Sequence, residues 1–262
     1  MKHQKLMQYT GIFLLVFFIL AATALAEDLV SGRELAQKIF DRNRGKTSKA
    51  TSVMVLVSKS GHKRTRQFTH MRRKENSLET NLIRFTAPAD IRGTGFLTIE
   101  EEGWETTQFL YLPALRRTRR IVSSQKSHRF VNSDFTYEDM ERHPVDNYTY
   151  KIMGTKEISG IDCYALETRP KKGIESQYSL TKSLVAKNSL VPVYAEYFDH
   201  QNRLIKHYKA VKIEKIDDIW TETAIMMTDI QREHKTYIKI QHIEYNLKID
   251  PEALSKQALE NY

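Results

Sequence analysis

The chain has 262 residues, a formal net charge of +9 and a single cysteine. This composition excludes a collagen-like repeat, a low-complexity disordered chain and a disulfide scaffold, since one cysteine cannot form an internal disulfide. Nucleic-acid binding stays open at this point, because the chain is basic and aromatic side chains lie near the basic residues for base stacking.

The first 26 residues predict a cleaved secretory signal. Lys2 and Lys5 supply the positive start, residues 11–22 form an apolar run, and the triplet A-L-A ending at Ala26 has the small-x-small pattern of a cleavage site. We therefore predict export with cleavage after Ala26, which leaves residues 27–262 as a single domain. An uncleaved anchor is the alternative, but the apolar run is shorter than the roughly 20 residues that span a bilayer. Export also argues against nucleic acid as a partner.

Positive charge is concentrated in two stretches that contain no acid. Residues 42–74, the first basic stretch, hold 11 lysines and arginines, and residues 106–133, the second basic stretch, hold six. Such segregation of charge predicts a face that attracts an anionic partner. Solvated strands whose outer faces happen to be basic are the alternative interpretation.

The chain begins with a predicted helix and continues as strands. Residues 31–43 have an apolar helical face, and Ser31 with Glu34 matches the pattern of a capping box at its start. Over residues 52–247, alternating apolar segments recur at intervals of about 12 residues with turn residues between them, which predicts about 11 antiparallel strands.

Two further short helices complete the prediction. One covers residues 133–141, where Thr136 and Asp139 form a capping pair, and the other covers residues 251–259. The fold class is therefore mainly β with a few helices (α+β). A sheet of this length has to curl or close to bury its apolar face. Helices that cover its open side would leave an apolar pocket between them and the sheet.

No metal or cofactor site is predicted. The nine histidines lack the spacing of metal ligands, and the chain has neither a glycine-rich phosphate loop nor a G-x-S-x-G nucleophile motif. Cys163 lies in an alternating segment typical of a buried thiol.

An acidic cluster could supply the paired carboxylates of a glycoside hydrolase, although acids at a helix start serve equally for capping. Its members are Asp134, Glu138, Asp139 and Glu141.

Two sequence blocks resemble one known family. Residues 104–139 read W-x4-F-L-Y-L-P-A-L-R-R-T-R-R-I-V-S-S and then S-D-F-T-Y-E-D, and residues 85–97 read F-x-x-P-A-D-I-R-G-T-G-F-L. The chain resembles the bacterial outer membrane lipoprotein-sorting protein family, a LolA-like group found beside RND-type membrane transporters. The family-motif positions in this sequence are Trp104, Tyr111, Pro113, Asp134, Tyr137 and Asp139.

This resemblance implies a fold and a role. The fold is a strongly curved, incompletely closed antiparallel β-barrel whose mouth is covered by helices. The role is that of a periplasmic carrier, which binds the acyl chains of a lipoprotein or lipid and moves it toward the outer membrane, with an inner-membrane transporter as partner. A lipid-binding sensor without transport is the first alternative, and a hydrolase using Asp134 and Asp139 is the last.

A carrier of this kind needs an apolar pocket and a docking face. Burying an acyl chain gains about 0.8 kcal/mol per CH₂, and pliable methionines suit a pocket that has to release its cargo. The predicted pocket residues are Phe85, Phe96, Leu97, Leu110, Leu112, Phe130, Met140, Met226 and Met227. The predicted docking residues, facing an acidic transporter surface or anionic head groups, are Arg116, Arg117, Arg119 and Arg120. The alternative for the pocket residues is ordinary core packing, and the alternative for the four arginines is a solvated turn.

Overall fold

The computed structural model describes residues 31–103 and 106–261, in which 13 β-strands account for most of the regular structure. The strands are β1 (Thr47–Val57), β2 (Lys63–Glu75), β3 (Leu78–Ala87), β4 (Gly95–Glu100), β5 (Thr106–Leu112), β6 (Arg117–Ile121), β7 (Tyr148–Ile158), β8 (Ile161–Pro170), β9 (Leu180–Ala186), β10 (Pro192–Phe198), β11 (Leu204–Ile216), β12 (Ile219–Asp229) and β13 (His234–Tyr245). Two α-helices flank the strands: α1 (Gly32–Phe40) and α2 (Lys256–Glu260).

All the strands belong to one antiparallel sheet with the order β6-β5-β4-β3-β2-β1-β13-β12-β11-β10-β9-β8-β7. Two meanders, β1 to β6 and β7 to β13, meet through the pairing of β1 with β13, where Met54 lies opposite Ile238. The edge strands β6 and β7 do not pair, so the sheet stays open. Side chains from every strand except β6 line one cavity, which requires the sheet to curl around it.

This architecture confirms the predicted fold, a curved and incompletely closed antiparallel sheet with few helices. The sheet has 13 strands where about 11 were predicted. The short strand expected at residues 119–122 corresponds to β6, which has only five residues and therefore few alternations that define it in sequence.

Three clusters of buried apolar residues form in the described part of the chain, the smallest of which joins β8, β9 and β10 through Cys163, Ala186 and Val193. The other two lie on opposite faces of the sheet, because successive side chains in a strand point to opposite sides. We call the face that lines the cavity concave and the other convex. The concave core consists of Met54, Leu56, Phe68, Ile83, Phe85, Phe96, Leu110, Ile121, Phe130 and Tyr137. The convex core consists of Leu82, Leu97, Leu254 and Leu259.

Helix α1 is shorter than the predicted helix of residues 31–43 but begins with the predicted capping box. The Ser31 hydroxyl accepts a hydrogen bond from the Glu34 amide at 3.2 Å, and the Glu34 carboxylate accepts one from the Ser31 amide at 2.8 Å. The helix packs closely on β7, since a Cβ at Gly32 would lie 2.7 Å from the Tyr150 carbonyl oxygen. Its last turn lines the cavity.

The predicted helix of residues 251–259 divides into a 3₁₀ turn, Pro251–Leu254, and α2. Leu254 and Leu259 insert into the convex core. The Arg84 guanidinium fastens the end of the chain by donating to the carbonyl oxygens of Ala258 and Leu259 at 2.7 and 2.8 Å. The C-terminal segment therefore covers the convex face of the sheet and leaves the cavity mouth to α1 and to the connection between β6 and β7.

That connection, residues 122–147, is here called the crossover segment because it joins the two opposite edges of the sheet. The helix predicted at 133–141 is only a single 3₁₀ turn, Glu138–Met140. The capping pair does form, with the Thr136 amide 2.7 Å from an Asp139 carboxylate oxygen. The backbone amides around it donate elsewhere in the segment, as when the amide of Phe130 donates to the Phe135 carbonyl, so a continuous helix cannot form.

Some of the predictions fall outside the described residues. These include the secretory signal of residues 1–26 and the motif residue Trp104. Across residues 31–103 and 106–261, no helix combines the length and the hydrophobicity that a bilayer crossing demands.

Candidate functional site

The curled sheet encloses a cavity of about 690 Å³ between its concave face, α1 and the crossover segment. The volume lies within the roughly 300–1,000 Å³ typical of small-molecule sites. Aliphatic and aromatic side chains form much of its wall. They include Ile39, Phe40, Phe68, Ile83, Phe96, Phe135, Met140, Tyr148, Tyr150, Tyr197, Tyr208, Ile225, Met227, Ile238, Ile240 and Ile243.

One ionic cluster lies in the cavity wall around Glu79, whose side chain is 2% exposed. Its carboxylate is 3.2 Å from the Arg72 guanidinium, 3.3 Å from that of Arg44 and 3.5 Å from that of Arg142. Burial alone would raise the pKa of Glu79, but the three arginines outweigh burial and hold the pKa below its usual range. Arg142 also binds the Glu100 carboxylate at 2.9 Å. At Glu100 the effect of burial outweighs that of Arg142, so the pKa of Glu100 is raised.

A second ionic cluster joins the crossover segment to β11. The Lys206 ammonium group lies 2.9 Å from the Asp139 carboxylate and 2.8 Å from the Tyr178 hydroxyl, which itself donates to Asp139 at 2.7 Å. Burial and the adjacent carboxylate raise the pKa of Tyr178 well above its usual value. Because the two charged side chains are 6–7% exposed, this is a buried ion pair whose remaining hydrogen bonds are filled.

A third cluster joins the crossover segment to β13. The fully buried Asp134 carboxylate accepts hydrogen bonds from His234 Nδ1 at 2.6 Å and from the Thr236 hydroxyl at 2.6 Å. The Arg232 guanidinium lies 3.4 Å away, and the Asp134 amide donates to Thr236 at 3.0 Å. The S-D-F-T-Y-E-D block thus supplies two carboxylates that hold the same segment to two different strands.

The other motif residues also take structural positions. Tyr137 packs on Phe96 with ring centroids 5.5 Å apart, and its carbonyl accepts a hydrogen bond from buried Gln108. Tyr111 packs against the convex core, and Pro113 begins a 3₁₀ turn after β5. Asp134 and Asp139 are not free paired carboxylates, since each is engaged by a cation and by hydroxyl groups.

The predicted pocket residues occupy three different environments. Phe96 and Met140 line the cavity, as does Met227. Phe85, Leu110 and Phe130 lie in the closed concave core, and Leu112 packs partly buried against it.

Leu97 and Met226 lie elsewhere, which corrects their placement in the predicted pocket. Leu97 belongs to the convex core, and Met226 is absent from the cavity wall although its neighbour Met227 is part of it. The physical reason is strand alternation, since two consecutive residues cannot both face the same side of a regular strand.

Several cavity residues were not predicted from the sequence, above all Ile238, Ile240 and Ile243 of β13. The spacing of these isoleucines could have predicted that they face the cavity, if a bulge had been assumed between Ile240 and Ile243. The pairing register of β1 with β13 skips Gln241, so a bulge shifts the inward-facing series by one residue. The tyrosines of the wall were missed because an aromatic with a hydroxyl fits either face of a half-buried strand.

The four predicted docking arginines lie together at the edge strand β6 and the turn before it, and all four are exposed. They do not share one face. Arg119 lies on the concave side, where its charge partly opposes the rise that burial causes in the pKa of Tyr137, whereas Arg120 donates to the Thr107 hydroxyl at 3.2 Å on the convex side. The exposed side chains of Leu115 and Val122 flank this edge.

The comparisons with known proteins place this fold in a class. A LolA superfamily protein from Nitrosomonas europaea superposes with a TM-score of 0.68 at 15% identity, over 87% of this chain and 99% of that chain, which shows a LolA-like fold. A putative outer membrane lipoprotein-sorting protein domain from Vibrio parahaemolyticus has a TM-score of 0.82 at 27% identity, over 87% of this chain and 98% of that one.

The family follows from a nearer relative. A DUF1329 family protein from Desulfovibrio piger has a TM-score of 0.83 and is 32% identical over 87% of this chain and 97% of that chain. A family model described as "uncharacterized protein" also matches residues 77–261. The chain belongs to the DUF1329 family and has a LolA-like fold. No curated protein sequence matches it.

Proposed function

We propose that this protein is an exported periplasmic carrier that holds the acyl chains of a lipoprotein or lipid in its cavity and moves the cargo toward the outer membrane. An inner-membrane RND-type transporter is the proposed partner that loads it. The observation that carries this proposal is the cavity itself, about 690 Å³ and walled largely by apolar side chains. Its LolA-like fold, shared with a putative lipoprotein-sorting domain, supports the same assignment.

The physical chemistry of the wall suits an acyl chain. Each buried CH₂ contributes about 0.8 kcal/mol, and Met140 and Met227 can adapt their shape to chains of different length. Most charged side chains in the wall have an ionic partner, as Glu79 has Arg44 and Glu222 has Arg42. Glu138 instead accepts hydrogen bonds from the Ser176 hydroxyl and the Gln177 amide. Such partners reduce the cost of placing an apolar cargo beside these charges.

The experiment that tests carriage begins with extraction of the purified protein and mass spectrometry of any lipid that comes with it. A fluorescent acyl probe then measures affinity for the wild-type chain and for two matched variants in β12. Ile225→Trp fills the cavity, whereas Met226→Trp changes the neighbouring side chain, which is absent from the cavity wall. We expect probe affinity to fall by about tenfold or more for the first variant and to stay near the wild-type value for the second.

Two results would contradict lipid binding. One is a wild-type protein that carries no lipid and binds no acyl probe, and the other is equal loss of probe affinity in both folded tryptophan variants. Circular dichroism establishes that each variant is folded before its affinity is interpreted. Transfer of the probe from donor to acceptor vesicles separates a carrier, which passes the probe on, from a sensor, which only holds it.

A further inference from the structure

A second concave site lies at the end of the sheet where the β1–β2 and β12–β13 turns meet the crossover segment. It is a pocket of about 550 Å³, here called the basic pocket. None of its lining residues belongs to the wall of the apolar cavity. They are Leu56, Ser58, Ser60, His62, Arg64, Arg129, Asn132, Arg232 and His234.

Eight of the nine residues that line the basic pocket have polar side chains. Three guanidinium groups, two imidazoles, two hydroxyls and one amide converge there, and no carboxylate is among the lining groups. Guanidinium groups bind phosphate oxygens through pairs of parallel hydrogen bonds, and hydroxyls complete such sites. A metal cation would find no negatively charged ligand in this set.

The positive charge of the basic pocket is only partly neutralised. Arg232 lies 3.4 Å from Asp134 and 3.9 Å from Asp229. Arg64 and Arg129 have no acidic side chain within ion-pair distance in the described parts of the chain. Such a surplus of fixed positive charge in a concave site attracts an anion.

The backbone around the pocket is held in place. Val131 and Asn132 adopt left-handed conformations with φ of 43° and 61°, and the buried Arg66 guanidinium donates to the Val131 carbonyl. Phe130 anchors the same turn in the concave core. Burial lowers the pKa of Arg66, and the neighbouring Arg64 lowers it further, while Asp90 opposes both. These contacts hold the turn in place and therefore fix the backbone positions of Arg129 and Asn132 at the pocket.

We propose that the basic pocket binds a phosphoryl group, either as free phosphate or as the phosphate of a lipid head group. The three guanidinium groups neutralise the charge, and the serine hydroxyls and the His62 imidazole take the remaining oxygens. This site is separate from the acyl cavity, and its ligand does not depend on the proposed carrier function.

Isothermal titration calorimetry of the full chain with inorganic phosphate tests the proposal. The test variant is Arg64→Gln/Arg129→Gln, which removes two charges without leaving a buried acid unpaired. Its matched control is Lys151→Gln/Lys156→Gln on β7, which removes the same charge from exposed positions far along the sheet order. We expect phosphate affinity to fall by about tenfold or more in the test variant only, because charge-assisted hydrogen bonds are lost.

A second arm uses vesicles of phosphatidylcholine with and without phosphatidic acid, measured by co-sedimentation. Retention that requires phosphatidic acid and the two arginines identifies a lipid head group as the source of the phosphoryl group. Phosphate binding without vesicle retention identifies free phosphate, and both outcomes support the site. The proposal is overturned by the absence of saturable binding in both arms, or by equal weakening in the two double variants.

Discussion

The two basic stretches carry the same kind of charge pattern, but the fold buries arginines only in the first of them. In the first stretch, Arg66 and Arg72 lie on inward-facing positions of β2 and are 9% and 2% exposed. In the second stretch, the four arginines at β6 are exposed. The difference follows from position in the sheet, since β2 is flanked by β1 and β3 whereas β6 is an edge. Arginines at inward-facing positions of an inner strand are therefore buried, whereas those of an edge strand remain exposed.

The acids that neutralise the first stretch come from other parts of the chain. Arg44 and Arg72 bind Glu79, Arg42 binds Glu222 at 2.7 Å, and Lys59 binds Glu233 at 2.9 Å. Counting charge within a sequence window therefore overstates the positive surface of the folded protein. The second stretch keeps its charge because few acids lie near it, Lys126 with Glu141 being one pair that does form.

The largest expected effect comes from removing Glu79, the acid that pairs with Arg44 and Arg72 of the first stretch. Glu79→Ala leaves Arg44, Arg72 and Arg142 without their shared carboxylate, and Arg72 is itself buried. Breaking one partner of a buried ion pair typically costs about 3–5 kcal/mol. We expect a loss of that size in the free energy of unfolding, measured by urea denaturation followed by circular dichroism.

The matched control is Glu75→Ala at the end of the same strand pair. Glu75 binds Arg73 at 2.9 Å, but its side chain is 61% exposed, so the loss should stay within about 1 kcal/mol. If the two variants unfolded at the same urea concentration, the inward-facing cluster would not be the stabilising feature that its burial indicates.

The next effect is a pH dependence that arises from His70 in the same stretch. Burial lowers the pKa of His70 to about 4, with Arg44 and Arg72 adding to the shift and a hydrogen bond to Asn81 opposing it. Below the unfolded value of about 6.5 the unfolded chain binds a proton that the folded chain does not. Stability contributed by neutral His70 is therefore present above about pH 6.5 and falls by about 3 kcal/mol as the pH approaches 4.

His70→Gln should flatten this dependence, which is measured as the urea midpoint at a series of pH values between about 4 and 7. The exposed His128 offers a control, because His128→Gln should leave the slope of the wild-type protein intact. A wild-type slope that persisted in His70→Gln would assign the pH dependence to another group.

The sequence was sufficient to predict the sheet and its curvature, because period-two alternation and turn residues are local signals. It also predicted Phe96 and Met140, which line the cavity. It could not decide the face of Leu97 or Met226, since a shift of one residue exchanges the two faces of a strand. The bulge at Gln241 likewise exchanges the two faces of β13 beyond that point. It is a feature of the pairing of β13 with β1, so the local sequence does not reveal it.

The acidic block of the crossover segment shows a second limit of sequence reasoning. Capping was correctly predicted for Thr136 and Asp139. The partners that decide their role, Lys206 and His234, lie 67 and 100 residues further along the chain from Asp139 and Asp134. Two carboxylates that resemble an acid–base pair in sequence are tethers in the structure, because folding brings a cation to each.

The smallest expected effect on stability comes from the second stretch. Changing Arg116, Arg117, Arg119 and Arg120 together to Gln should alter the free energy of unfolding by less than about 1 kcal/mol, because the side chains are exposed. The same variant should lose salt-sensitive binding to vesicles that contain phosphatidylglycerol, since each arginine near an anionic surface contributes about 1 kcal/mol. A loss of stability as large as that of Glu79→Ala would contradict the conclusion that the arginines of the second stretch, unlike Arg72 of the first, do not stabilise the fold. Unchanged vesicle binding would leave the exposed edge of β6 without its proposed docking role.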